Sequence, residues 1–233
     1  MVSSLASPLL KLPETRQERW ALLAQLIAHW YAPLTQADGY TDEELKQCAS
    51  RLGIILPPAL QEWYRLAGKR RDVWCQQDTL LAPADMFTEK GVLHFSVENQ
   101  GVTYWGIRLG DLSEENPPVV VLDQFDEWVV QSPLLSEFVL HLFAFLVRFA
   151  ARTPRIYGYA GSSCVERIIG AIPALGFTEF VWTGARLFGF RDLIVSIDST
   201  NHVSASGCSL ETLAPFRQLI KGSDFDVISQ TEV

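Results

Sequence analysis

The segment from Arg51 to Gly68, RLGIILPPALQEWYRLAG, constrains the fold of this chain more than any other stretch. Gly53 is typical of a helix C-terminus, and Pro57 and Pro58 stand where the next helix would begin. Beyond the prolines, apolar residues recur at the spacing of one helical face, at Leu60, Trp63, Tyr64 and Ala67. This order predicts a scaffold that presents a surface, and it favours recognition over catalysis.

The remaining periodicity predicts a single α+β domain with a mixed, mainly antiparallel sheet and helices packed around it. Predicted helices cover Glu14–Tyr31, Thr41–Leu52, Pro57–Ala67, a long segment capped by Ser132, Ser163–Leu175 and Ser209–Lys221. Predicted strands cover Leu93–Val97, Val102–Leu109, Val119–Leu122, Trp128–Val130, Arg186–Asp198 and His202–Cys208. We divide the chain into an N-terminal helical extension (1–40), the main domain (41–222) and a mobile acidic tail (223–233).

Composition limits the class of partner. The net charge of −8 argues against nucleic acid as the direct ligand, because phosphate binding requires clustered Lys and Arg, and a basic partner is the better electrostatic match. Its start does not have the pattern of a secretory signal, and no apolar run is long enough to cross a bilayer. We therefore expect a cytoplasmic protein that makes no membrane contact and is a monomer when free.

No residue pattern in the chain points to a cofactor, a metal or a catalytic centre. The four cysteines have no CxxC pair, which disfavours zinc; two disulfides are possible, but a reducing compartment favours free thiols. The four histidines share no local motif, and the loop Gly158–Cys164 lacks the spacing of a nucleophile elbow. Carboxylates that meet only in space stay open as an alternative.

Acidic residues are concentrated in one segment. Between Arg108 and Arg148 there is no Lys or Arg, while Asp111, Glu114, Glu115, Asp123, Asp126, Glu127 and Glu137 lie there. This is either a solvated face or, as a hypothesis, a surface on loops 111–116 and 123–127 that steers a basic partner. Trp74, in a polar stretch after Lys69, is either a core residue or an interface anchor. Our candidate partner-binding residues are Trp74 and all of these acidic residues except Glu137.

The order of several short motifs resembles the SUKH superfamily, which includes Smi/Knr-type cell-wall-assembly regulators and many bacterial toxin-immunity proteins. The matching stretches are Leu52-Gly53, Leu56 to Leu60, Trp63-Tyr64, Gly68, Phe95, Glu98 to Gly101, Trp105 to Ile107, Pro117 to Val119, Trp128 and Leu135 to Phe138. The resemblance implies structural roles for Gly53, Leu56, Pro57, Gly68, Glu98, Asn99, Trp105, Pro118 and Trp128. It covers roughly residues 40 to 210 and carries over no binding residue.

The resemblance also implies an α+β fold without catalytic apparatus. Bacterial relatives bind and neutralise a cognate toxin, often a nuclease. We therefore expect an immunity protein that covers a basic toxin domain with an acidic surface. The alternative is a regulatory or scaffolding adaptor of the Smi/Knr kind that binds an endogenous protein, and an unrecognised hydrolase is a third possibility.

Overall fold

A computed structural model describes residues 6–123, 125–150 and 153–231. Its α-helices are α1 Arg16–Trp30, α2 Asp42–Leu52, α3 Pro58–Ala67, α4 Arg71–Trp74, α5 Leu135–Leu146, α6 Ser162–Ala171 and α7 Ala214–Ile220. Its strands are β1 Thr79–Leu80, β2 Phe87–Glu89, β3 Val92–Val97, β4 Tyr104–Arg108, β5 Val119–Leu122, β6 Trp128–Ser132, β7 Arg155–Ala160, β8 Arg186–Phe190, β9 Leu193–Ile197, β10 His202–Gly207 and β11 Phe225–Thr231. The predicted α+β class is confirmed. The strands form two antiparallel sheets rather than one.

Local hydrogen bonding explains where the first helices begin and end. The Thr41 hydroxyl accepts from the Glu44 amide while the Glu44 carboxylate accepts from the Thr41 amide, the reciprocal capping box expected from the sequence. Gly53 ends α2 in the left-handed conformation (φ 66°), which costs a residue with a Cβ far more. Pro57 is the N-cap of α3, with Pro58 at its first helical position.

Residues Pro13 to Leu146 form one compact unit. Its sheet has the order β1-β3-β4-β5-β6, with β2 also paired to β3. Helix α5 is buried at every position except Glu137, and it packs against α1, α3 and α4. Phe138 of α5 meets Phe95 of β3 edge to face, with ring centroids 5.8 Å apart. The long apolar helix expected to cover a sheet therefore does so.

A second compact unit combines the segment up to Leu12 with Val147 onward. Its sheet has the order β11-β7-β10-β9-β8. One face of this sheet carries Ile156, Val195, Val203 and Ala205, which pack with α6 and α7 in a continuous apolar core. Strands β8 and β9 form a hairpin, so the predicted strand Arg186–Asp198 is two strands joined at Arg191-Asp192.

Two predicted helix caps are wrong because the groups involved hydrogen-bond with residues distant in sequence. Ser132 is the last residue of β6, and α5 begins at Leu135. The Ser136 amide at the start of α5 donates instead to Asn116 Oδ1, at 3.0 Å. In α6 the N-cap is Gly161, and the Ser163 hydroxyl donates to Asp224 Oδ1 at 3.0 Å rather than capping its own helix. Both partners are distant in sequence, which local spacing does not reveal.

The C-terminal segment is a strand, which corrects the prediction of a mobile acidic tail. β11 pairs along its length with β7, with a bulge between Val227 and Ser229. The Gly161 amide also donates to the Asp224 carbonyl at 2.8 Å. Within residues 223–231 the acidic residues are Asp224, just before β11, and Asp226, in the strand. The apolar Phe225 between them packs on the core. Residues 232–233 lie outside the described residues.

The units divide the chain differently from the predicted segments. Helix α1 packs against α3 and α5, so residues 13–40 belong with α2 to β6 rather than to a separate extension. Residues 1–5 lie outside the described residues. Across the described chain, no helix is both long and apolar enough to cross a bilayer. The four cysteines are free thiols, as expected, and Cys48 and Cys164 are buried.

Candidate functional site

The order of strands in the first sheet brings two hairpin turns together. Because β3, β4, β5 and β6 follow one another as antiparallel neighbours, the β3–β4 turn and the β5–β6 turn lie at the same end of the sheet. The Thr103 hydroxyl joins them by donating to the Leu122 carbonyl at 2.7 Å. We call this end the turn-end surface and define it as Glu98, Val102, Asp123, Phe125, Asp126 and Glu127.

The β5–β6 turn is built around the Asp123 carboxylate. Its Oδ1 accepts from the amides of Phe125 (2.8 Å) and Glu127 (2.9 Å), so this carboxylate stabilises the turn itself. The Asp123 amide donates to the Glu127 carbonyl at 2.9 Å, and Asp126 adopts a left-handed conformation with φ 61°. This geometry leaves the side chains of Asp126 and Glu127 exposed and holds the Phe125 side chain outward.

The β3–β4 turn has the same design. Glu98 Oε2 accepts from the Gln100 amide at 2.8 Å, and the Gly101 amide donates to the Glu98 carbonyl at 2.8 Å. Gly101 has φ 71°, a conformation that favours glycine. Val102 follows it with 54% of its surface exposed. Glu98 and Asp123 therefore each stabilise a turn that presents an apolar side chain.

The turn-end surface combines exposed apolar groups with carboxylates. Phe125 is 75% exposed, the most exposed aromatic side chain of the described residues. Neither turn contains Lys or Arg, so no cation on these segments neutralises Asp126 and Glu127. An exposed aromatic ring beside two exposed carboxylates is suited to dock on an apolar pocket bordered by basic groups. The structure thus brings together three of the predicted candidates: Asp123, Asp126 and Glu127.

The other predicted carboxylates lie elsewhere, which corrects the idea of one continuous acidic surface. Asp111, Glu114 and Glu115 belong to the β4–β5 connection, at the opposite end of β5. A four-residue strand separates the two ends by about 13 Å. Glu115 is also engaged, since Arg16 Nη1 donates to its carbonyl at 3.0 Å and to its Oε2 at 3.2 Å. Only Asp123, Asp126 and Glu127 share the exposed turn.

Trp74 is a core residue and not an interface anchor. Its side chain has no exposed surface, and its ring meets Trp63 edge to face with centroids 5.3 Å apart. Its Nε1 donates to the Ala67 carbonyl at 2.8 Å. The polar sequence before it forms the short helix α4, which turns Trp74 inward, so the argument from a polar neighbourhood applies to Phe125 instead.

Sequence reasoning missed Phe125 and Val102. Both are single apolar residues within otherwise polar turn sequences, and that signal was present in the chain. The signal does not decide exposure, because the same pattern at Trp74 belongs to a buried residue. Exposure separates the two cases, and it depends on which elements pack over the turn.

The residues singled out by family resemblance occupy structural positions. Gly53 and Gly68 are helix C-caps, Leu56 and Trp105 are buried, and Pro57 caps α3. Glu98 and Asn99 lie in the β3–β4 turn, Pro118 precedes β5 and Trp128 begins β6. Glu98 therefore belongs both to the residues of the family resemblance and to the turn-end surface.

Beside this end, the outer face of the sheet carries a histidine enclosed by aromatic rings. His94 stacks on Phe87 with centroids 4.4 Å apart, and Tyr104 and Trp128 meet its edges at 5.2 and 5.3 Å. Only 2% of its surface is exposed, and burial lowers the pKa of His94. Its Nε2 lies 3.3 Å from the Glu89 carbonyl, while its buried Nδ1 has no hydrogen-bond partner. The arrangement keeps this imidazole neutral.

Comparisons of the chain with protein-family models, curated proteins and solved structures find no match.

Proposed function

We propose that this chain is a non-catalytic binding protein of the cytoplasm that neutralises a basic protein toxin, as bacterial immunity proteins do, and that the toxin docks on the turn-end surface. The observation that carries the proposal is Phe125, 75% exposed between the carboxylates of the β5–β6 turn. The resemblance to the SUKH superfamily suggests the biological role. The geometry of the turn supplies the docking chemistry.

The magnitude available from Phe125 is large enough for a binding anchor. An aromatic side chain offers about 200 Å² for burial. Since three quarters of Phe125 is exposed, an apolar pocket could cover about 150 Å², which corresponds to about 4 kcal/mol at about 25 cal/mol per Å². Truncating an anchor residue of a measured interface costs about 2 kcal/mol or more. The ring therefore supports complex lifetime, and the carboxylates support the rate of association.

The turn is preorganised for this role. The two hydrogen bonds from backbone amides to Asp123 and the hydrogen bond from Thr103 to Leu122 hold Phe125 outward before any partner binds. A preformed anchor loses less conformational entropy when it binds, so more of its burial appears as affinity. Replacing Phe125 should therefore weaken binding without changing the fold, since surface changes usually alter stability by less than about 0.5 kcal/mol.

The test compares tagged wild-type protein with three variants expressed in the cells of origin. Phe125→Ala removes the ring, Asp126→Lys with Glu127→Lys reverses the turn charge, and Glu114→Lys is the matched control at the opposite end of β5. We expect wild-type protein and the control to retain one basic polypeptide that is toxic when produced alone, and both turn variants to lose it.

Purified partner then gives dissociation constants by calorimetry. Phe125→Ala should raise the Kd by about 30-fold or more, the equivalent of at least about 2 kcal/mol. Equal affinity for the turn variants and wild type would remove the turn-end surface from the proposal. Recovery of only metabolic or wall-synthesis proteins would remove the toxin and favour the adaptor role.

A further inference from the structure

A cleft lies between α2 and the loop that precedes β2. Its volume is about 240 Å³, and it is lined by Tyr40, Glu44, Gln47, Cys48, Arg51, Ala82, Pro83 and Ala84. Glu44, Gln47, Cys48 and Arg51 belong to α2, and Tyr40 directly precedes the N-cap of that helix. The other three residues form the facing wall. All belong to the Pro13–Leu146 unit, and none lies on the turn-end surface.

The walls of the cleft are held in place by specific contacts. Arg51 Nη2 donates to the carbonyls of Pro83 (2.9 Å) and Met86 (2.7 Å), which fixes the loop against α2. The Cys48 sulfur lies 3.9 Å from the Met86 sulfur and is 3% exposed. The amides of Asp85 and Met86 both donate to the Ala82 carbonyl. The cleft is therefore formed before any ligand binds.

The two cationic side chains at the cleft are held by oxygen atoms of the protein. Lys69 Nζ lies 3.1 Å from Glu44 Oε1 and 4.8 Å from the centre of the Tyr40 ring. Arg51 is engaged by two backbone carbonyls. The two carbonyls hold the Arg51 guanidinium in place but do not cancel its charge, whereas Lys69 is paired with Glu44. Because the other lining residues carry no charge, the cleft favours a neutral ligand.

The cleft keeps one hydrogen-bond acceptor available. Glu44 Oε2 accepts from the Thr41 amide (2.7 Å), the Thr41 hydroxyl (2.8 Å) and Lys69 Nζ (3.2 Å), whereas Oε1 lies 3.1 Å from the same Lys69 Nζ. A carboxylate oxygen has two lone pairs, so Oε1 can accept a further N–H or O–H. The rest of the lining is an aromatic ring, a proline, two alanines and a thiol, with the Met86 thioether behind it.

We propose that this cleft binds a small neutral aromatic compound carrying one N–H or O–H donor. An apolar cavity of about 150 Å³ holds a single benzene ring, and drug-sized ligands need about 300 Å³ or more. A volume of about 240 Å³ therefore fits one or two fused rings. The ring packs against Tyr40, Pro83 and the Cys48 sulfur, whose contact with an aromatic edge is favourable. The donor binds Glu44.

Methionine offers a probe of this binding in the intact protein. The chain has only two methionines, Met1 and Met86, so ¹³C-methyl labelling gives one reporter at the cleft. Indole and phenol should shift the Met86 methyl signal saturably, through ring currents, with Kd below about 1 mM. N-methylindole, which lacks the donor, should bind about tenfold more weakly. Cyclohexanol, which lacks the aromatic ring and produces no ring-current shift, should compete with indole more weakly still.

Two variants locate the site. Ala84→Phe adds a ring at the rim and should abolish the saturable shift, whereas the matched Ala214→Phe, exposed at the start of α7, should leave it unchanged. Glu44→Gln retains a side chain suited to the capping box and should weaken indole binding about tenfold. Absence of saturation by indole and phenol in the wild type overturns the proposal. The proposal is also overturned if N-methylindole or cyclohexanol binds as tightly as indole, or if the Ala84→Phe variant binds indole as tightly as the wild type.

Discussion

Phe225 at the start of β11 is the residue whose removal distinguishes a structural strand from a mobile tail. Its ring lies against Gly158 of β7, where an added Cβ would come 2.6 Å from the ring edge. It also meets Phe216 of α7 edge to face, with centroids 5.9 Å apart. Phe225 is partly buried at the rim of the apolar core. Its replacement by Ala therefore removes contacts on both a strand and a helix.

The expected loss follows from this burial. Truncating a fully buried Phe to Ala costs about 3–5 kcal/mol of unfolding free energy. Because Phe225 is only partly buried, we expect about 2–3 kcal/mol, including about 1 kcal/mol from the aromatic pair. Ile228 is the matched control: it lies at the bulge of the same strand, is 59% exposed and has no partner on β7. Ile228→Ala should change stability by less than about 0.5 kcal/mol.

Native-state hydrogen exchange of the β7 amides measures the effect where it occurs. When exchange requires opening of the unit, a loss of about 2–3 kcal/mol accelerates it by about 30- to 150-fold. Phe225→Ala should show this acceleration across Arg155–Ala160, and Ile228→Ala should not. Unchanged exchange in both variants would refute the pairing of β11 with β7. Equal acceleration in both would refute the assignment of Phe225 to the core.

Two further changes test local arguments. Burial lowers the pKa of His94, so the unfolded chain binds a proton first as pH falls below about 6.5, and the free energy of unfolding declines from there towards the folded-state pKa. The urea midpoint of His94→Phe should therefore fall less between pH 7.5 and 5.5 than that of the wild type. Equal falls would contradict the assignment. Asn116→Ala removes the cap on the Ser136 amide and should lower the free energy of unfolding, measured in urea, by about 1–2 kcal/mol. Ser132→Ala should lower it less. The reverse order would show that α5 is capped as the sequence predicted.

Much of the N-terminal half could be predicted from sequence because its signals are local. Thr41 and Glu44 are three residues apart, and their capping box needs only the first turn of α2. Gly53 supplies a left-handed conformation by lacking a Cβ, whatever packs around it. Strands β3 and β4 follow from alternation and turn residues within a dozen positions, and β5 follows from a continuous apolar run. In each case the determining hydrogen bonds and torsions lie within a few residues.

Only the tertiary structure decided the candidate site. Trp74 and Phe125 both follow polar residues, yet α4 buries the first against Trp63 and the β5–β6 turn exposes the second. Asn116 caps a helix twenty residues away, and β11 pairs with a strand that the sequence did not predict. Sequence determines torsional preference and period residue by residue. Exposure, capping by distant groups and strand pairing depend on contacts that form only when remote segments pack together, and those contacts assembled the turn-end surface.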